Sequence, residues 1–212
     1  MLPHFWLKTL GITAFITVFF VAYFRLLNFP LFPVTVMPLT EVDRWIPFTP
    51  VALVLYVSLW LYVPLAPVLL PDKRELYALG WEAGGVALLG LGVFLFWPTV
   101  IPAIEIDWSR HAGFEFLKAV DASGNACPSL HVAFAVFTAV RIDSSLREIA
   151  ASLRVHAVNW LWCLGIVYST LAIKQHVAVD VLAGAALGVA GGAWHWARWL
   201  SAKSPRPVHT GS

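Results

Sequence analysis

Six apolar stretches dominate the sequence, and most of them approach the roughly 20 residues that an α-helix needs to cross about 30 Å of hydrocarbon. Proline and charged residues cluster between the stretches, where helices end. The stretches are 6–27, 49–70, 79–97, 128–142, 155–173 and 177–200. The fourth is short, so we expect it to begin earlier or to run on past Asp143. The pattern predicts an all-α, polytopic membrane protein, a bundle of six transmembrane helices.

The composition excludes a soluble domain. Of the 212 residues, 59% are hydrophobic and only 12% are charged, which is far from the usual globular balance. The net charge of +2 is spread along the chain, so no basic face indicates a nucleic-acid partner, and the lipid bilayer is the expected partner. We expect one membrane domain over residues 1–200, a polar and disordered tail over 201–212, and a first segment that is retained because it lacks a cleavage site. The sequence leaves the oligomeric state open.

The positive charges predict the orientation in the membrane. Most of the 14 lysines and arginines would share the side that carries both termini; these are Lys8, Lys73, Arg74, Arg141, Arg147, Arg154, Arg198, Lys203 and Arg206. Because cytoplasmic loops are enriched in such residues, both termini are expected in the cytoplasm. The loop before Pro128 and the turn at Lys174 would then share the outer face, which is the periplasmic face if the protein lies in a bacterial inner membrane.

Small residues predict how the helices pack. Gly184, Gly188 and Gly192 recur every four residues in the last stretch, a spacing that lets helix backbones approach closely in lipid. The third stretch carries a similar group, Gly80, Gly84 and Gly85. Glu82 in that stretch is expected to have a structural role more than a functional one. Cys127 and Cys163 are expected to be free thiols.

The first candidate motif is "PSLH", residues 128–131. Pro128 is suited to the first position of a helix, so the backbone N–H groups from Ser129 to His131 would point into the outer loop and attract phosphate. His131 could donate or accept a proton beside that anion. Ordinary helix capping and a structural histidine would explain this motif alone equally well.

The second candidate motif is "YSTLAIKQHVAVD", residues 168–180. His176 and Asp180 are four residues apart, so they share a helix face and Asp180 can accept a hydrogen bond from the imidazole. That contact would fix the tautomer and leave the other nitrogen as a nucleophile. Because two crossings separate His131 from Ser169, both motifs are expected at the same membrane face.

Together these motifs resemble the signatures of the type 2 phosphatidic acid phosphatase (PAP2) superfamily, a family of membrane lipid phosphatases and phosphotransferases. Its Pro-Ser-Gly-His signature is similar to residues 128–131, and its Ser-Arg-x5-His-x3-Asp signature is similar to residues 169–180. The first family signature, Lys-x6-Arg-Pro, is absent, and Thr170 replaces the arginine of the third. Leu130 and the segment "DRWIPFTPVALVLY" at 43–56 look like the divergent branch that includes inositol phosphorylceramide synthase.

The resemblance implies roles for individual residues. His176 would attack phosphorus to form a phosphohistidine, Asp180 would hold its imidazole, and His131 would protonate the leaving oxygen and then activate water or an acceptor hydroxyl. No metal or other cofactor is implied. The phosphate-binding residues that it implies are Ser129, Leu130, Ser169 and Lys174. Because the family's cations are missing here, Lys174 and Arg110, or else Lys118, are our candidates for the lost positive charge.

The expected activity is hydrolysis of a lipid phosphate monoester or diphosphate, with a phospholipid or a polyprenyl phosphate as substrate. Transfer of a phosphorylated headgroup to a lipid or inositol-type hydroxyl is the main alternative, because it shares the phosphohistidine half-reaction. A zinc-dependent hydrolase that uses the same histidines and acids is a further alternative. A small transporter is the alternative outside the enzymes.

Overall fold

The computed structural model describes residues 3–104, 106–108, 113–114 and 124–203. The chain is mostly helical (72%), and within these described ranges strand is confined to two segments of two residues each. This confirms the prediction of an all-α fold. Arg110, Lys118 and the predicted tail beyond residue 203 lie outside the described residues.

Three helices are long and apolar enough to cross a membrane among the described residues, namely α1 (Phe5–Asn28), α6 (Lys73–Phe96) and α8 (Leu153–Ala172). Asp72 is the N-cap of helix α6, and its carboxylate accepts a hydrogen bond from the Arg74 N–H and so satisfies one free donor of the first turn. Large apolar side chains such as Leu88 and Leu161 are exposed, as expected for surfaces that face lipid. The membrane assignment is therefore supported, while the count of six crossings stays a prediction.

The second predicted stretch is not one continuous helix. After the short helix α2 (Glu41–Trp45), it comprises a 3₁₀ turn (Pro50–Ala52) and the helices α3 (Leu53–Val57), α4 (Leu59–Tyr62) and α5 (Leu65–Leu69). Pro64 and Pro67 lack the N–H groups that a continuous helix would use. The Ser58 hydroxyl also donates to the Leu55 carbonyl, at 2.6 Å. Hydropathy alone therefore predicted the apolar character of this stretch correctly and its continuity wrongly.

The fourth stretch forms helix α7 (Leu130–Glu148) at the centre of the bundle. The helix continues past Asp143, which was one of the two ways in which we expected this short stretch to be extended. Val132, Ala133, Ala135 and Ala139 are completely buried. Helix α7 packs mainly against α8 and against α9 (Ala178–Lys203). Helix α7, which carries His131, therefore packs against α8 and α9, the two helices that the segment with His176 connects.

The glycines of α9 allow its close approach to α7. A Cβ atom at Gly184 would lie 2.3 Å from the Ser129 carbonyl oxygen, and one at Gly188 would lie 2.5 Å from the Ala133 carbonyl oxygen. These contacts match the predicted small-residue stripe. The similar expectation for the third stretch was wrong, because a Cβ at Gly84 would meet no described residue within 4 Å, and the same holds for Gly80 and Gly85.

A small parallel sheet ties the loop before α7 to the rest of the molecule. Strand β1 (Thr35–Val36) pairs with β2 (Thr99–Val100). The Thr99 hydroxyl accepts a hydrogen bond from the Cys127 N–H at 2.8 Å. Thr99 is completely buried, so this contact fixes the chain immediately before Pro128.

Polar residues also gather near the end of α7 that lies away from Leu130. The Asp143 carboxylate accepts hydrogen bonds from Arg147 Nε at 2.7 Å and from Trp160 Nε1 at 3.2 Å, and it lies 2.6 Å from His156 Nδ1. Nearby, Arg141 Nε lies 3.4 Å from Glu82 Oε2, with both side chains buried. This ion pair supports the structural interpretation of Glu82. The two cysteines are free, as expected.

Candidate active site

The His176 and Asp180 side chains lie at the start of α9. Asp180 is completely buried, and its Oδ2 atom accepts a hydrogen bond from the Val177 N–H at 3.1 Å. The same oxygen lies 3.5 Å from His176 Nδ1, which is longer than a good hydrogen bond but close enough to become one after a small movement. Because Nδ1 faces the acid, Nε2 is the nitrogen that remains for chemistry.

His131 lies in the first turn of α7 and is held by a ring contact. Its imidazole stacks on Tyr56, with ring centroids 3.9 Å apart and an angle of 13° between the planes. His131 Nε2 is buried and has no hydrogen-bond partner among the described residues. A buried imidazole nitrogen without a partner is costly, so it is a good candidate for a group that acts on a ligand.

Ser129 joins the two motifs through the backbone. Its N–H donates to the Asp180 carbonyl oxygen at 3.0 Å, and its hydroxyl oxygen accepts a hydrogen bond from the Val132 N–H at 3.3 Å. The hydroxyl is therefore the N-cap of α7 and keeps its own proton for donation. The residues that sequence analysis expected to converge are in direct contact at this point.

Other expected phosphate-binding residues are placed differently. The Ser169 hydroxyl donates to the Ile166 carbonyl at 2.6 Å within α8, so its proton is already in use. Lys174 Nζ donates to the Asp43 carbonyl at 2.8 Å and to the Ile46 carbonyl. Its ammonium group thus anchors a neighbouring segment, and a contact between Lys174 and phosphate stays a prediction. Burial lowers the pKa of Lys174, and the Asp43 charge partly offsets this effect.

A large apolar cavity opens beside both histidines. Its volume is about 1040 Å³, and His131, His176, Leu130 and Asn125 contribute to one part of the wall. The wall extends along α1 from Tyr23 to Lys8, which corresponds to about 22 Å of helix. Most of the lining is aliphatic or aromatic, so the cavity suits a long apolar chain better than a polar molecule.

The far end of the cavity carries one buried cation. Lys8 Nζ donates to the Leu70 carbonyl at 2.7 Å and to the Val68 carbonyl at 3.1 Å. These carbonyls lie at the end of α5, where helix carbonyls lack intrahelical partners. The Lys8 charge is therefore stabilised by a helix terminus.

Sequence analysis missed three residues that the structure brings to this region. Tyr56 stacks on His131, and the Asp43 carboxylate accepts a hydrogen bond from the Ala178 N–H at 2.8 Å. Gln175 Nε2 is buried without a hydrogen-bond partner among the described residues, next to His176 in the chain. The sequence pointed to Asp43 and Tyr56 only through the likeness of residues 43–56 to the divergent branch. That likeness did not predict which residues the two side chains contact.

Comparison with known proteins identifies the family of this chain. The family model of the PAP2 superfamily matches residues 76–203, which is more than half of the chain. The protein belongs to the PAP2 superfamily, and the matched region contains both histidine motifs. Comparison with curated proteins and with solved structures gave no match. Membership in this family implies a phosphatase or phosphotransferase that acts on phosphate esters.

Proposed function

We propose that the protein is an integral membrane lipid phosphatase that works through a phosphohistidine intermediate. The observation that carries this proposal is the arrangement of His131 and His176 on the wall of one apolar cavity, with Asp180 behind His176. Family membership supports the reaction class, and the geometry supports the division of roles between the two rings.

In the first half-reaction, Nε2 of His176 attacks phosphorus and the bond from phosphorus to the lipid oxygen breaks. The imidazole becomes positively charged, and the Asp180 carboxylate stabilises it. His131 gives a proton to the leaving oxygen, as a general acid. In the second half-reaction, His131 takes a proton from water, and the resulting hydroxide releases phosphate from His176.

The phosphoryl oxygens need donors, because charge is spread over them in the transition state. The Ser129 hydroxyl proton and the buried Gln175 amide are the candidates among the described residues. Leu130 contributes only its backbone and its place in the cavity wall. Arg110 stays a candidate for the positive charge that the family usually supplies here.

The cavity supports a lipid substrate. A phosphate held between the two histidines would leave its apolar chain in the cavity, whose wall extends about 22 Å along α1 from Tyr23 to Lys8. A diacyl phosphate and a polyprenyl diphosphate both offer such a chain. The distribution of Lys and Arg supports a site on the outer face, with both termini in the cytoplasm.

Transfer to a lipid hydroxyl is a second candidate, because an apolar acceptor could reach the phosphohistidine through the same cavity that admits the substrate. The two activities differ only in whether water or this hydroxyl takes the phosphoryl group.

The test uses the purified protein in detergent with phosphatidate, phosphatidylglycerol phosphate and a polyprenyl diphosphate. Free phosphate and new lipid products are measured in parallel, with and without a lipid that carries a free hydroxyl. Release of free phosphate that requires both His131 and His176 is expected. A new phosphorylated lipid without free phosphate would favour transfer, and no turnover of any substrate would contradict both candidates.

A further inference from the structure

The segment from Thr40 to Tyr56 contacts both histidine motifs, although it precedes the region that the family model matches. It contains α2, the 3₁₀ turn and most of α3. We propose that this segment, the 40–56 clamp, sets the position of the two histidines, with Asp43 and Tyr56 as positioning residues. This inference rests on the proposed function of those histidines.

Asp43 holds the turn that carries His176. Its Oδ1 atom accepts a hydrogen bond from the Ala178 N–H at 2.8 Å, two residues after His176. Its backbone carbonyl accepts the Lys174 ammonium at 2.8 Å, two residues before His176. Asp43 therefore forms hydrogen bonds with the turn on both sides of the proposed nucleophile.

The Asp43 carboxylate is itself held rigidly. Its Oδ2 atom accepts hydrogen bonds from the Thr40 N–H at 2.7 Å and from the Thr40 hydroxyl at 2.8 Å. Asp43 is 8% exposed, so these donors and the Ala178 N–H replace water around the charge. A buried carboxylate with this set of partners is a stable anchor.

Asp43 also leaves Asp180 available for His176. Two neighbouring N–H groups at the start of α9 need acceptors, since a helix start has no intrahelical partners for them. Asp180 Oδ2 accepts the one from Val177, and Asp43 accepts the one from Ala178. Without Asp43, the Asp180 carboxylate would be the nearest acceptor on the same turn, and its approach to His176 would be disturbed.

The other end of the clamp holds His131. Tyr56 is 5% exposed, and it belongs to a hydrophobic cluster with Phe114, Ala172 and Ile173. Its ring covers one face of the His131 imidazole at a centroid distance of 3.9 Å. Between the two ends, the Thr49 N–H donates to the Ala172 carbonyl at 2.8 Å, which ties the clamp to the end of α8.

The consequence is that one segment determines how the two imidazoles stand relative to each other. Nucleophile and proton donor come from separate helices, and the Ser129 N–H to Asp180 carbonyl bond joins their backbones without fixing the rings. The clamp adds a stacking contact to the His131 ring and a hydrogen bond to the turn that carries His176. Loss of either contact should therefore reduce the rate of chemistry while substrate binding in the apolar cavity persists.

The first arm of the test changes Asp43. We expect Asp43→Ala to lower kcat about 100-fold with KM within about threefold of the wild type, because a displacement of about 1 Å has this order of effect. Asp43→Asn keeps an acceptor oxygen for Ala178 and should recover activity to within about fivefold of wild type. Glu41→Ala is the matched control, since Glu41 lies on the same helix and is exposed with its partner Arg44.

The second arm changes Tyr56. Tyr56→Phe keeps the stacked ring and should keep kcat within about threefold, while Tyr56→Leu should lower kcat about 30-fold at unchanged KM. Trp45→Leu is the control for loss of an aromatic ring in the same segment, because Trp45 is 77% exposed. Thermal unfolding in detergent identifies any variant that fails to fold. If Asp43→Ala does not fold, the comparison of Tyr56→Phe with Tyr56→Leu still tests whether the clamp positions the histidines.

Three outcomes would overturn the clamp. In the first, Asp43→Ala and Tyr56→Leu match their controls in kcat while His176→Asn is inactive, which leaves the proposed function intact. In the second, the losses appear in KM. In the third, Tyr56→Phe lowers kcat as much as Tyr56→Leu. Failure of the proposed function is recognised separately, because His176→Asn would then retain activity.

Discussion

Two buried aspartates among the described residues, Asp143 and Asp180, each face a partly buried histidine, one near each end of α7, and the two pairs differ in how completely they are bonded. His156 Nδ1 lies 2.6 Å from Asp143 Oδ1, whereas His176 Nδ1 lies 3.5 Å from Asp180 Oδ2. Asp143 has further partners on both oxygens, while Asp180 Oδ1 has no hydrogen-bond partner among the described residues.

This difference indicates different roles for the same two residue types. A buried polar atom without a partner costs about 1–3 kcal/mol, and native proteins retain that cost mainly where a ligand or a reaction uses the atom. Three such atoms belong to His131, His176 and Asp180. The pair at Asp143 is complete without a ligand, so we assign it to stability, and we propose that the pair at Asp180 takes part in the reaction.

The largest expected effect comes from changing the histidine in each pair. His176→Asn should lower turnover about 1,000-fold or more, because it removes the proposed nucleophile from a site that is otherwise intact. His131→Asn should act similarly through loss of the proton donor. His156→Asn is the matched control and should stay within about threefold of wild-type turnover, and equal losses in all three variants would remove the distinction between the pairs.

The aspartates should separate activity from stability. Asp180→Asn is expected to lower turnover about 100-fold, since the acid orients and stabilises the imidazole without reacting itself. Asp143→Asn should instead lower the free energy of unfolding by about 2 kcal/mol, because one of the two carboxylate oxygens that accept from Arg147 and His156 becomes an amide nitrogen, which cannot accept. Turnover at low temperature and denaturation in detergent measure the two effects, and a reversed result would exchange the assigned roles.

A smaller effect is expected from the helix contact that holds the His176 pair against α7. Gly184→Ala should destabilise the protein by about 2 kcal/mol and reduce turnover, because its Cβ would meet the Ser129 carbonyl, which is backbone and cannot move alone. Gly84→Ala, with open space at its Cβ, should be neutral or slightly stabilising. Unfolding midpoints of the two variants in detergent test this, and equal midpoints would show that α9 does not need to approach this closely.

The smallest expected effect is that of Lys174→Gln. An ammonium that bonds the Asp43 and Ile46 carbonyls acts only through the position of the His176 turn, so we expect a loss of kcat of about fivefold at unchanged KM. A KM that rises more than about tenfold would instead show that Lys174 contacts phosphate, as the sequence resemblance implied.

Much of this arrangement could be predicted from local sequence patterns. Helix geometry alone predicts that His176 and Asp180 share a face and that the glycines of α9 form one stripe. Two crossings between the motifs predict that both lie at the same membrane face, and the motifs do meet at Ser129 and Asp180. The breaks between residues 50 and 69 were harder, because hydropathy masks the effect of Pro64 and Pro67. The contact between Asp43 and Ala178 joins residues 135 positions apart, and no periodic pattern encodes such a pairing.

The central claim, that His176 is the nucleophile, is tested most directly by rapid quenching of the purified protein during turnover of a substrate labelled on the reacting phosphate. We predict acid-labile label on His176, located by mass spectrometry at high pH, and no label in His176→Asn. Label on another residue, or steady turnover in His176→Asn, would contradict the account.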